Sequence, residues 1–141
     1  MRRVMWRAGF GASAHEATKW AHRGRGATLR WLLSPNGHRA PLEPTPKPMA
    51  LDPENEYGHD VLWWMDRMVR TTRPLEEKMT LFWHDHFATR DVDTPLMLRQ
   101  NQVFRSHALG AFGALLRDVM EDPAMGSFLN LIGSYKDEPN E

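Results

Sequence analysis

A chain of 141 residues with 41% apolar residues is long enough to bury about two-thirds of its unfolded surface as one domain. The absence of cysteine excludes disulfide frameworks, Cys-ligated zinc, iron–sulfur clusters and thiol nucleophiles together. Lys plus Arg and Asp plus Glu each number 18, so the formal net charge is zero, which argues against a nucleic-acid partner and against a polybasic membrane anchor.

The chain opens on MRRVMWRAGFG. An export signal needs an apolar stretch of roughly 7–15 residues after its charges, and here Arg7, Gly9 and Gly11 interrupt it at once. No run approaches the ~20 apolar residues of a membrane span. Ser13 followed by Glu16 fits a capping box, predicting a helix from Ala14 to about Arg23, with Gly24 as the residue that ends it. A short second helix covers Ala27 to Leu33. Residues 35–53 hold six prolines, Pro35, Pro41, Pro44, Pro46, Pro48 and Pro53. Each removes a donor and fixes φ, so this stretch reads as a proline-rich surface loop.

Beyond the loop the helical period strengthens. Tyr57, Val61, Trp64, Met65, Met68 and Val69 form one wide face of a 3.6-residue helix, with Leu62 and Trp63 at its edges, so this helix is expected to be buried on most sides. Pro74 starts the next helix, in which Leu75, Met79, Phe82, Trp83 and His86 recur at helical spacing. Thr94-Pro95 starts another, running to about Ser106. Leu109, Phe112, Leu115, Leu116, Val119 and Met120 mark the following one, which stops before Asp122-Pro123. A last turn or two carries Met125, Phe128, Leu129 and Ile132. Period-2 alternation is absent, so the expected fold is all-α, an irregular multi-helix bundle.

Five strings go beyond generic helix: RAGFG (residues 7–11), RMVRTTRPLEEKMTLFWHDHFAT (67–89), MLRQNQVFRSHALGAFGALL (97–116), EDPAM (121–125) and the closing KDEPNE (136–141). In this order they closely resemble the bacterial family known as domain of unknown function 1800. The most specific is Trp83-His84-Asp85-His86-Phe87. The resemblance implies that the protein is longer: members run to several times this length, and the Pro139-Asn140-Glu141 string leads into another amphipathic helix. Residues 1–141 are then expected to be one helical domain, incomplete at its C-terminal end. Some of Trp63, Trp64, Phe82, Trp83, Phe128 and Leu129 are expected to stay exposed as one patch. The resemblance also implies that many members are exported and that their genes commonly neighbour one for a sulfatase-like exported protein. It brings no reaction, cofactor or catalytic residue.

The residues themselves offer His84 and His86 as candidate metal ligands, and His84, His86 and His107 as candidate catalytic groups. On a strand, histidines two apart share a face; on a helix they point about 200° apart, which defeats chelation of one metal by both. The spacing through Leu75, Met79 and Phe82 places His86 on the buried face, with His84 on a stripe with Glu77. A buried polar set of His86, His107, Gln100 and Glu141 is a second expectation, serving either packing or a site. Arg67, Arg70 and Arg73 recur every three residues, suiting either an anion or the helix dipole. Glu76 and Glu77 point about 100° apart and read as solvated surface. Two functional readings follow: part of an exported His- or metal-dependent enzyme whose site is completed elsewhere, or a non-catalytic helical scaffold that binds a protein partner. The cofactor, if any, is not specified by these residues.

Overall fold

The computed structural model describes residues 1–33, 51–90 and 92–137. It contains seven α-helices among the described residues: α1 Arg2–Arg7, α2 Ala14–Leu33, α3 His59–Arg70, α4 Pro74–Phe87, α5 Thr94–Ser106, α6 Phe112–Met120 and α7 Pro123–Phe128. A short 3-10 turn, Leu131–Gly133, follows. More than half of the described residues are helical and none belongs to a sheet, so the fold is all-α. The proline-rich stretch lies almost wholly outside the described residues, which resume at Leu51.

Local chemistry sets the helix ends. The Ser13 backbone N–H donates to Glu16 at 3.0 Å and the Glu16 N–H donates to the Ser13 hydroxyl at 3.2 Å. This is the reciprocal box the sequence announces. Within α2, Gly24 breaks the helix with φ of 81° and ψ of 164°, a conformation that suits a residue without Cβ. The two expected helices therefore meet at a kink. Pro74 and Pro95 occupy first-turn positions of α4 and α5, where the missing N–H has no helical acceptor to lose. The Asp122 carboxylate accepts from the N–H groups of Ala124 and Met125 and caps α7. Gly9 meets the start of α4: a Cβ there would stand 2.7 Å from that of Pro74.

α5 is the centre of the bundle, packed on α4, α6 and α7, while α2 and α3 lean on α4. Phe104, Leu115, Val119 and Met125 form the buried core, with Trp83, Phe87 and Val103 packed against it. Phe87 stacks on Phe104 with ring centroids 5.7 Å apart. Four core residues are a small apolar centre, and buried Glu77, Thr80, Gln100, Asn101, Arg105 and Asp122 occupy much of the rest.

The sequence expectation fails on α3, none of whose residues is buried. Its one substantial neighbour is α4, and one neighbour covers one side. Trp63, Trp64, Arg67 and Met68 are half-buried there, while Val61, Leu62, Met65 and Val69 face water. Of the residues expected in an exposed patch, Phe82, Phe128 and Leu129 are exposed, and Trp63, Trp64 and Trp83 are half-buried.

Candidate functional site

α4 carries the tryptophan–histidine–x–histidine–phenylalanine string as helix through Phe87, so His84 and His86 diverge. Which one faces inward is the reverse of the expectation. The inward stripe of α4 is Glu77, Thr80, His84 and Phe87, at i, i+3, i+7 and i+10, with Glu77 and Thr80 fully buried. The stripe through Phe82 and His86 is exposed. Apolar spacing misplaces this helix because its polar stripe finds hydrogen-bond partners on α3 and α5, whereas its aromatic stripe meets Phe112 at the start of α6 and stays exposed.

Those partners meet on Glu77. Its Oε1 accepts from Arg67 Nε at 2.5 Å and Arg105 Nε at 2.6 Å. Its Oε2 accepts from Arg105 Nη2 at 3.2 Å and Trp64 Nε1 at 3.3 Å. Arg105 continues the network, donating to Asn101 Oδ1 at 2.5 Å and to Gln102 Oε1 at 2.9 Å. Both guanidinium carbons lie 5.9 Å from the Trp63 ring, within cation–π reach. Burial alone would push the Glu77 carboxyl up; the hydrogen bonds and charges of Arg105 and Arg67 outweigh it and hold it below the usual range. Burial pulls Arg67 down, opposed by Glu77. Arg67 Nη1 is buried with no hydrogen-bond partner.

The reading of Glu77 as solvated surface is thus overturned, while Glu76 pairs with Arg73 at 3.1 Å. The arginine triplet is spoken for: Arg67 by Glu77, Arg70 by Asp66 at 2.6 Å, and Arg73 by Glu76. An acidic pair on adjacent helix positions splits naturally into one inner and one outer member. The available signal was the stripe that Glu77 shares with His84 and Phe87. Arg105, 28 residues away, left none.

His84 is wedged edge-on between Trp64, at 5.1 Å, and Phe104, at 6.2 Å. Burial lowers its pKa, opposed by Asp85, so the neutral imidazole is favoured. His86 stands outside, stacked on Phe82 at 6.0 Å and edge-on to Phe87 at 5.1 Å, Trp83 at 5.7 Å and Phe112 at 6.5 Å. Trp83 also stacks on Phe112 at 5.6 Å. The result is an aromatic ledge on α4 and α6 with an imidazole at its rim.

His107 lies apart from both, at the end of α5, with Nε2 2.6 Å from Asp118 Oδ2 on α6. The expected polar set of His86, His107, Gln100 and Glu141 does not assemble: Gln100 Nε2 donates to Asp122 Oδ1 at 3.0 Å, His86 is exposed, and Glu141 lies outside the described residues. Among those residues no group of three or more His, Asp or Glu side chains is placed to hold a metal ion.

Searches of curated proteins and of solved structures find no match. Residues 3–141 match the family described as protein of unknown function (DUF1800), and the chain belongs to that family.

Proposed function

We propose that this chain is a non-catalytic helical domain that binds a protein partner through the aromatic ledge around His86. The observation that carries the reading is the exposure of that ledge. Phe82 is 51% exposed, Phe112 49% and Met120 69%. Phe112, Leu116 and Met120 extend the ledge along α6 at i, i+4 and i+8, all exposed. Aromatic and Met side chains standing together in water are the composition of interface centres. The three histidines support the same reading, since each has separate surroundings. The sulfatase-like exported protein that the family resemblance brings in is the candidate partner.

A second reading, a His- or metal-dependent enzyme using His84, His86 or His107 with residues from elsewhere in the protein, draws on one feature. His84 is a desolvated imidazole against Trp64, which itself donates to Glu77, and perturbed groups cluster at sites of chemistry. Metal analysis of the protein and of His84→Ala and His86→Ala separates the two. The scaffold reading expects no stoichiometric metal in any of them, and loss of hydrophobic-dye binding in Phe82→Ser/Phe112→Ser with the melting temperature kept. Stoichiometric metal released by either histidine substitution would establish the enzyme reading instead.

A further inference from the structure

The zero net charge of the chain conceals a segregation. Residues 1–33 carry Arg2, Arg3, Arg7, Lys19, Arg23, Arg25 and Arg30 against Glu16 alone, a formal charge of +6, and the remainder carries the compensating −6. All seven cations are exposed. None is in an ion pair among the described residues, whereas Arg67, Arg70, Arg73 and Arg105 each hold a carboxylate. Large apolar side chains stand among these cations: Trp6 is 68% exposed, Leu29 40% and Leu33 59%. Leu29 and Leu33 are one turn apart on the last turns of α2, beside Arg25 and Arg30.

We infer that α1 and α2 form a docking surface for an anionic membrane. Charge complementarity names the partner as anionic, and the exposed Trp and Leu choose a lipid surface among anionic partners. Cations next to Trp and Leu are what an interfacial segment needs, because the apolar side chains enter the headgroup boundary while the cations meet lipid phosphates. A nucleic acid would use open ring faces for stacking. Here Trp6 offers one exposed ring, but the Trp20 ring is already occupied, by Trp31 at 4.3 Å and by the Arg23 guanidinium at 5.0 Å, and Leu29 and Leu33 offer no ring, so there is no row of stacking platforms. No helix among the described residues is long and apolar enough to cross a membrane, so the contact is peripheral. α2 leans on α4, so the bundle is held against the surface by its N-terminal helices.

The test is co-sedimentation of the 141-residue chain with phosphatidylcholine vesicles, with and without phosphatidylglycerol. Binding is expected with phosphatidylglycerol only, and should fall as salt shortens the screening length. Arg23→Gln/Arg25→Gln/Arg30→Gln should weaken it about a hundredfold, at about fivefold per cation. Arg2→Gln/Arg3→Gln/Arg7→Gln should do the same independently. The control Arg99→Gln/Arg117→Gln/Lys136→Gln removes the same charge from the other part of the chain and should leave binding unchanged. Trp6→Gln should remove much of what survives high salt. Equal binding to both vesicles, no binding to either, equal loss in the control, or tighter binding to a single-stranded oligonucleotide would each overturn the proposal.

Discussion

In the layer formed by α3, α4 and α5, Arg67 and Arg105 are drawn into the protein and meet on the buried Glu77, whereas in α1 and α2 seven cations stand in water with no ion pair among the described residues. The difference follows from what each helix has to pack on. α5 has neighbours on several sides, so Arg105 cannot reach solvent and must be satisfied internally or not at all. α2 has one principal neighbour, α4, and buries only Ala17, Thr28 and Leu32. Its long side chains extend freely. The first arrangement fixes how the helices assemble, and the second leaves charge for an outside partner.

The comparison breaks first at Glu77. Glu77→Ala leaves two guanidinium groups in the interior with no countercharge, and removing one member of a buried ion pair costs roughly 3–5 kcal/mol. Net stabilities run only ~5–15 kcal/mol, so chemical denaturation should show a large loss, or no cooperative transition. A cost below about 1 kcal/mol would mean that the network is ornamental, since even a single hydrogen bond contributes that much. Acid should act through the same group. The folded pKa of Glu77 is held below its unfolded value, so its contribution is complete above the ordinary Glu pKa of about 4.3 and disappears as pH falls through the lower folded value. His84 adds to the acid limb earlier. Its folded pKa is also lowered, so the unfolded chain takes up the proton first, and stability falls as pH drops below about 6.5. His84→Gln should remove the portion of the pH dependence between that value and the Glu77 limb. His86→Gln, on the exposed ledge, should leave it in place.

That contrast between two histidines two residues apart shows how much of the fold was legible. The helix ends were: Ser13 with Glu16, Pro74, Pro95 and Asp122-Pro123 each sit at or within a residue or two of a boundary, and Gly24 marks the kink of α2, because capping chemistry is local and needs no knowledge of neighbours. The all-α class followed from the period of the apolar residues. The orientation of α4 and the burial of α3 were not legible, since both depend on which helices arrive as neighbours. A rule that sends the apolar stripe inward turned α4 the wrong way. Its polar stripe had a better bargain in Arg67, Arg105 and Trp64, none of them close in sequence to Glu77. The candidate site shared that fate, with His84 and His107 given separate partners and His86 an aromatic ledge in place of a core.

A smaller effect sharpens the comparison from the side of α2. Ser13→Ala removes the hydroxyl that accepts from the Glu16 N–H and donates to the Glu16 carboxylate, leaving that carboxylate only the backbone N–H of residue 13. A lost cap of this kind costs about 1 kcal/mol. Because α2 buries few residues, the loss should appear as faster amide exchange in residues 14–23, with the exchange of α5 unchanged. Equal acceleration in α5 would show the two regions to be one cooperative unit.

The smallest expected effect belongs to the cations themselves. Arg25→Gln/Arg30→Gln removes two exposed charges that have no ion-pair partner among the described residues, and surface changes of this sort fall within about 0.5 kcal/mol. The sign should be stabilising, because residues 1–33 carry seven cations against one carboxylate and like charges repel across a short segment. Salt provides an independent check: screening at about 1 M reaches to ~3 Å, so the gain from the substitutions should vanish there. The same logic predicts the reverse for Arg67→Gln, whose loss should persist in high salt because the pair is buried. If the α2 substitutions instead destabilise by more than about 1 kcal/mol, those arginines are held by partners within the chain. The two regions would then use arginine alike.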